Sequence, residues 1–194
     1  MIALLLDSSS AFLNVGFMKD GNLLCYTSYE SWQTQSEHMV PEIDKLMEEN
    51  NISRKDIGAV ITAIGPGSYT GVRIALTIAK VASLSLGIPV YPISSLRILK
   101  NGKIPSICLI NARSGRSYFA VYEGEKTIIS DTIKKNEEVL EYIKEHPNYS
   151  VCGDARYLGL EFNDTNVCEQ MVSLFPHLEK LDDGLGLKPV YMKD

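Results

Sequence analysis

The sequence has few of the residues that bind metals or form a disulfide framework. Its four cysteines stand too far apart for a CxxC pair, and its three histidines are scattered along the 194 residues. Neither residue type therefore shows the spacing of a metal site. Cys25, Cys108 and Cys152 fall in apolar, strand-like segments, where we predict buried structural thiols.

Long hydrophobic runs and an excess of positive charge are also absent. The apolar N-terminal run has no basic residue before it and ends at Asp7, far short of the roughly 18 residues of a membrane helix. We therefore expect a cytoplasmic protein without a membrane segment. The formal net charge of −5 argues against a broad basic face that binds nucleic acid without a partner.

The composition is that of a globular protein, with 45% apolar and 22% charged residues. In the first half, continuous or alternating apolar runs predict strands, and three- to four-residue periodicity predicts helices. The predicted strands span residues 2–6, 12–18, 23–29, 57–64 and 88–91, and the predicted helices span residues 36–50 and 70–86. The first half thus has the order β-β-β-α-β-α.

The second half repeats this order but is shorter. We predict strands at residues 105–110, 118–122, 127–131 and 149–152, helices at 136–145 and 167–174, and a loop followed by an edge segment from 180 to 192. The duplicated order is similar to that of the actin/Hsp70/sugar-kinase superfamily, an RNase H-like α/β fold. We expect an N-terminal lobe of residues 1–98 and a smaller C-terminal lobe of residues 99–194, packed as one unit.

The glycine-containing segment GPGSYTG at residues 65–71 connects a predicted strand to a predicted helix. Backbone N–H groups at such a junction favour an anion, so Gly67, Ser68 and Thr70 are candidate anion- or nucleotide-binding residues. Asp7 is a further candidate, because the similarity to the superfamily implies that its ATPases hold metal and phosphate at this position, the end of the first strand. The spacing matches neither a Walker A loop, nor a dinucleotide fingerprint, nor a nucleophile elbow. We therefore favour structural turns at both places over a phosphate site.

The helix at residues 70–86 is apolar around most of its circumference. Such a helix needs cover on two sides. The sheet supplies one cover, and the other is either the helix at residues 36–50 or a second protein chain.

Several segments resemble the TsaB (YeaZ) family. The longest is GPGSYTGVRIALTIAKVASLSLGIPVYPISSL at residues 65–96. Others are the opening LLLDSSS, EHMVPEIDKLM around His38, NARSGRSYFAVY from Asn111 and the closing PVYM. The sequence departs from the family at Asn111, where an acidic residue is common, and in its shorter second half.

The resemblance implies a noncatalytic scaffold subunit. Members of the family bind TsaD, the catalytic subunit that threonylcarbamoylates adenosine 37 of tRNAs that read ANN codons, and the ATPase TsaE joins the pair. The resemblance therefore implies TsaD and TsaE as partners, a homodimer when the chain is alone, and contact with tRNA only through the complex. It implies no cofactor of the chain's own and leaves open whether ATP or ADP binds at the partner interface.

In the family the first two long helices contact TsaD. The resemblance therefore implies an interface on residues 36–50 and 70–86, for which the candidate residues are Met39, Ile43, Leu46, Met47, Arg73, Ile74, Ile78, Ala79 and Ala82. Three alternatives stay open: a stand-alone ATPase or small-molecule kinase, a peptidase of the same superfamily, and a homodimer with a regulatory role outside tRNA modification.

Overall fold

The computed structural model describes residues 1–102, 104–163 and 165–192. A first sheet has the strand order β3-β2-β1-β4-β5, with β1 antiparallel to β2 and parallel to β4. Its strands are β1 (Ile2–Asp7), β2 (Phe12–Lys19), β3 (Asn22–Glu30), β4 (Ile57–Ala63) and β5 (Val90–Ile93). The predicted strands of the first half are confirmed, with shifts of at most two residues at their ends.

A second sheet has the order β8-β7-β6-β9, in which β6 is antiparallel to β7 and parallel to β9. Its strands are β6 (Ser106–Arg113), β7 (Arg116–Glu123), β8 (Lys126–Lys135) and β9 (Ser150–Cys152). This is the order of the first sheet without its fifth strand. The structure therefore confirms the duplicated α/β fold with a shortened second half.

The described residues contain four α-helices, which pack on these sheets: α1 (Gln35–Glu49), α2 (Tyr69–Leu86), α3 (Asn136–Glu145) and α4 (Val167–Leu174). The sequence determines both ends of α2. At its start, Ser68 Oγ accepts a hydrogen bond from the Gly71 N–H at 3.2 Å. At its end, Gly87 adopts the left-handed conformation with φ of +66°.

The hydrophobic core has a layer on each side of each sheet. The helices α1 and α2 cover one face of the first sheet, and α4 covers the other. The helix α3 covers one face of the second sheet, and the segment between β5 and β6 packs on the opposite face through Leu96 and Leu99. Cys108 and Cys152 are completely buried, and Cys25 is partly buried.

The C-terminal segment returns to the first sheet instead of staying with the second. Leu181 and Val90 exchange backbone hydrogen bonds of 2.8 and 2.9 Å, and the Val190 N–H donates to the Ile64 carbonyl at 2.7 Å. Together with α4, this segment packs with the lobe that was expected to end at residue 98. Residues 167–192 were predicted to belong to the C-terminal lobe of residues 99–194. They pack instead on the first lobe, because the apolar face of α4 covers the first sheet.

The predicted edge segment at residues 189–192 forms no strand, although Val190 is bonded to Ile64. Residues 193 and 194, at the end of the predicted C-terminal lobe, lie outside the described residues. Among the helices of the described ranges, none combines the length and the apolar character needed to cross a membrane.

Candidate interface and interlobe cleft

The inner faces of α1 and α2 form core and are closed to a partner. Met39 and Ala79 are completely buried, and Ile43 and Leu46 are less than a tenth exposed. All four pack against the first sheet in one hydrophobic cluster. This corrects the predicted interface, because these four side chains lie beneath the surface that a partner could contact.

The outer side of α2 carries an apolar stripe. Ile74, Ile78 and Val81 follow one another at intervals of four and three residues, which places them on one side of the helix. Ile74 and Ile78 are half-buried, whereas Val81 is 57% exposed. Leu84, one turn further along, is 55% exposed. Isolated apolar residues are common on protein surfaces, but a continuous stripe indicates a contact surface.

The helix α1, which packs beside α2, also carries apolar residues that are not fully buried. Val40 is 49% exposed and Met47, seven residues later on the same side of α1, is half-buried. We call the surface formed by Val40, Met47, Ile74, Ile78 and Val81 the helical face. Three of these were predicted interface residues, whereas Val40 and Val81 were missed, although the spacing of Val81 from Ile74 could have indicated it.

Two further predicted interface residues lie beside the helical face. Ala82 is half-buried. Arg73 is exposed, and its guanidinium carbon lies 5.1 Å from the centre of the Tyr69 ring. The interface assignment itself stays a prediction for these two residues and for Met47, Ile74 and Ile78.

The sequence left open whether α1 or a second protein chain covers the side of α2 that faces away from the sheet, and in the structure this cover comes from the same chain. Beside α1, the C-terminal turn Gly184–Gly186 packs on α2, and a Cβ atom on Gly184 would lie 2.7 Å from Ser83 Cβ. Close approach at this point therefore depends on glycine. The remaining uncovered side of α2 is the side that carries the helical face.

A cleft of about 650 Å³ lies between the two lobes. Gly67, Ser68 and Thr70 line its N-terminal side, where the structure brings three of the four predicted anion-binding residues together. The opposite side is formed by the C-terminal end of β6 and by residues that follow β9. In the described parts of the chain, no three His, Cys, Asp or Glu side chains are grouped closely enough to hold a metal ion.

Asp7 lies beneath the cleft and does not line it. Its side chain is 2% exposed, with Oδ1 accepting from the Ser9 N–H and Oδ2 from the Asn14 side-chain amide, both at 2.9 Å. Burial raises the pKa of the Asp7 carboxyl above its ordinary value, while these bonds act in the opposite direction. The carboxylate holds the turn after β1, which is the structural role favoured by the sequence, and this arrangement does not support contact with a ligand.

The glycine-containing segment is held against the turn after β1. A Cβ atom on Gly67 would lie 2.3 Å from the Ser9 carbonyl oxygen, and one on Gly71 would lie 1.9 Å from the Ser8 carbonyl oxygen. The Ser68 N–H donates to the Ser9 carbonyl at 2.7 Å. The two glycines therefore allow the two segments to pack closely, which agrees with the predicted structural turn. The hydrogen bond from Ser68 also occupies a backbone N–H group that an anion would need.

Charged residues form the other side of the cleft. Arg156 donates to Asp154 at 2.6 and 2.7 Å and to Glu30 of the first lobe at 3.3 Å. The pKa of the Asp154 carboxyl is lowered, chiefly because Arg156 donates these hydrogen bonds. Asn111 is exposed, and its side-chain oxygen accepts from the Arg113 N–H at 2.8 Å. The Arg156–Glu30 ion pair therefore connects the two lobes across the cleft.

Comparison with known proteins gives a consistent result. Residues 30–175 match the family model described as "TsaD: tRNA N6-adenosine threonylcarbamoyltransferase". A protein of Bacillus subtilis named "tRNA threonylcarbamoyladenosine biosynthesis protein TsaB" is 28% identical over 97% of this chain and 78% of its own length. The protein of the same name from Buchnera aphidicola subsp. Schizaphis graminum is 31% identical over 74% of this chain and 73% of its own length.

A solved structure has the same fold. YeaZ from Pseudomonas aeruginosa superposes with a TM-score of 0.82 at 20% identity, covering 98% of this chain and 99% of its own. The superposition extends over nearly the whole of both chains, so the shared fold includes the second half.

Proposed function

Because the chain belongs to the TsaB (YeaZ) family, within the wider group that the TsaD family model describes, we propose that it is a noncatalytic subunit that binds TsaD in tRNA threonylcarbamoyladenosine biosynthesis. TsaD carries out the chemistry, and this chain supplies the surface on which TsaD is held. The target is adenosine 37 of tRNAs that read ANN codons.

The observation that carries this proposal is the exposed helical face. Val81 and Val40 are about half exposed on adjacent helices whose inner sides already form core. Covering this face removes apolar area from water, which stabilises association by about 25 cal/mol for each Å² buried. A helix pair of this kind fits a partner that presents helices with matching apolar stripes, and TsaD, to whose family model this chain matches, is expected to share its architecture.

The other partners follow from the same arrangement. In the absence of TsaD, two copies of this chain pair through the helical face as a homodimer. TsaE joins the pair, and any ATP or ADP at the subunit boundary is held there by the complex. The net charge of −5 gives this chain no general attraction for phosphate, so tRNA binds through the complex, in the cytoplasm.

Calorimetric titration of TsaD into this chain tests the proposal. Val81→Glu places a charge on the helical face. Because the side chain at this position is exposed to solvent, we expect the variant to keep its fold. We expect TsaD affinity to fall by at least about tenfold, because a charge is then buried without a partner in the complex.

Glu141→Lys on α3 is the matched control, since it also changes charge on an exposed helical position, but in the other lobe. It is expected to leave the affinity unchanged. Equal TsaD affinity for the Val81→Glu variant and the unaltered chain, with both folded, would show that the helical face is not the contact.

A further inference from the structure

Two cysteines lie opposite each other in the second sheet. Cys108 of β6 and Cys152 of β9 are paired in the register of these parallel strands. Both belong to the hydrophobic cluster on the sheet face that Leu96 and Leu99 cover, so their side chains point to the same side. Paired residues on neighbouring strands lie about 4.8 Å apart, and the Cα atoms joined by a disulfide are usually about 4.4 to 6.8 Å apart. The backbone therefore holds the two thiols at a separation that a disulfide can bridge.

The two thiols also differ in their readiness to ionise. Hydrogen bonding from the Cys108 thiol is the main reason why the pKa of Cys152 is lowered below its ordinary value. The Ser150 hydroxyl lies 3.6 Å from the Cys152 sulfur and lowers this pKa further. Burial raises the pKa of Cys108, so this partner stays a thiol. Cys152 therefore has the larger thiolate fraction, and the thiolate is the form that attacks an oxidant.

The other two cysteines do not have this arrangement. Cys25 of β3 packs in the cluster beneath α1 and α2, whereas Cys168 of α4 belongs to the cluster on the opposite face of the first sheet. The sheet therefore separates their side chains. Burial raises the pKa of both thiols, so neither is activated as a thiolate. The chain thus contains one pair of cysteines that can be joined and one pair that serves as an internal comparison.

An oxidant reaches the buried pair through local opening of the sheet. Cys108 and Cys152 are both completely buried. However, β9 has three residues and lies at the edge of its sheet, whereas β6 lies between β7 and β9. A short edge strand opens at a lower free energy than the inner strands of a sheet. Opening of β9 therefore exposes Cys152 while Cys108 stays in place, and closing brings the two sulfurs together again.

We propose that Cys108 and Cys152 form a reversible intramolecular disulfide when the chain meets hydrogen peroxide. The Cys152 thiolate attacks one peroxide oxygen, the O–O bond breaks, and the departing hydroxide takes up a proton, which leaves a sulfenic acid on Cys152. The Cys108 sulfur then attacks the Cys152 sulfur, the S–O bond breaks, and water leaves with the Cys108 proton. In total, two thiols are oxidised to one disulfide and one peroxide is reduced to two water molecules. A small dithiol reverses the reaction by thiol–disulfide exchange.

The disulfide ties the edge strand to an inner strand and fixes the segment that follows it. Asp154 comes two residues after Cys152 and is paired with Arg156, whose guanidinium also binds Glu30 of the first lobe. The segment that carries the contact between the lobes is then attached covalently to β6. Because both cysteines lie in the second sheet and the helical face lies on α1 and α2, the proposal is independent of TsaD binding.

Thiol mapping of the full chain tests the proposal. The reduced, folded chain is treated with hydrogen peroxide, denatured in the presence of an alkylating reagent and digested for mass spectrometry. We expect two of the four thiols to escape alkylation, and one crosslinked pair of peptides that contains Cys108 and Cys152. Treatment of the oxidised chain with dithiothreitol should restore all four thiols.

Three variants separate the roles of the two thiols. In Cys108→Ser the hydroxyl can still donate to Cys152, so oxidation should stop at a sulfenic acid that dimedone labels. Cys152→Ser should leave Cys108 as a thiol. Cys25→Ser removes a cysteine of the other lobe and is the matched control, which should form the link as the unaltered chain does. Thermal unfolding shows whether each reduced variant is folded.

Three results would overturn the proposal: alkylation of all four thiols after peroxide treatment, a link between any other pair of cysteines, or further oxidation of Cys152 in the unaltered chain without a link. The TsaD affinity of the reduced chain is measured alongside. If it is retained while no link forms, the proposed scaffold function stands and the disulfide does not. If the link forms without TsaD binding, the reverse holds.

Discussion

The helices that cover the two sheets present different surfaces to solvent. On α3 of the second lobe, the outward residues are charged, with Glu137, Glu138 and Glu141 exposed and only Val139 fully buried. On α2 of the first lobe, Val81 and Leu84 are more than half exposed. The surface of α3 is what folding alone requires of an amphipathic helix. The exposed Val81 and Leu84 of α2 are not required by such packing, and they belong to the surface that the proposed contact with TsaD would cover.

The turns that follow the first strand of each lobe differ in the same way. The turn after β1 is buried, with Asp7 bonded to Ser9 and Asn14. The turn after β6 is exposed, and its Arg113 is directed across the cleft. In the duplicated fold, one copy of this turn is therefore part of the core, whereas the other is exposed at the edge of the cleft.

The largest expected effect distinguishes the two sides of α2. Ala79→Glu places a carboxylate in the core, where the side chain has no exposed surface, and we expect a loss of more than about 4 kcal/mol in the free energy of unfolding. Val81→Glu, two residues away, should stay within about 0.5 kcal/mol, as exposed substitutions usually do. Urea denaturation of both variants measures the difference. Similar losses for the two would contradict the assignment of inner and outer sides.

The second prediction compares Gly71, which lies in α2 and packs on the turn after β1, with Gly115 in the turn after β6. Gly71→Ala would bring a Cβ atom to 1.9 Å from the Ser8 carbonyl, and we expect destabilisation of about 3 kcal/mol from the forced backbone shift. Gly115 has open space around it but φ of +71°, so Gly115→Ala should cost only about 1 kcal/mol of conformational strain. Thermal unfolding of both variants checks the order. A larger loss at Gly115 would show that the turn after β6 is the more tightly packed of the two.

The smallest expected effect concerns the Arg156–Asp154 ion pair at the edge of the cleft. Because the folded-state pKa of Asp154 is lowered, its contribution to stability is present above its unfolded pKa and is lost as the pH falls through the folded value. In Arg156→Gln, the Asp154 pKa should return towards the usual value of about 3.9. Carbon-detected NMR titration of the carboxyl group measures this change. An unaltered pKa would mean that Arg156 does not pair with Asp154 in solution.

Local periodicity was sufficient to predict the elements and their duplicated order. The helices at 136–145 and 167–174 lie at the predicted residues. The same periodicity could not decide which side of α2 faces the sheet, because apolar residues surround most of the helix. Ala79 and Val81 are both apolar, so residue type does not show which of them is buried. Only the packing of α2 against the sheet, α1 and the C-terminal turn makes Ala79 buried and leaves Val81 exposed.

Long-range contacts account for the rest of what the sequence did not reveal. The return of α4 to the first sheet joins residues more than a hundred positions apart, such as Cys168 and Leu5 in one cluster. The orientation of Arg113 depends on a bulge and on the left-handed backbone of Arg113 and Ser114. The residue types at positions 111–115 do not predict either feature. The cleft between the lobes therefore became visible only in three dimensions.

The most direct test of the central claim is light scattering on a sizing column, with this chain mixed with TsaD from the same organism. The account predicts a complex whose mass contains both proteins, which Glu141→Lys also forms and Val81→Glu does not. A chain that elutes as an unchanged homodimer in the presence of folded TsaD, or a Val81→Glu variant that forms the full complex, would contradict it.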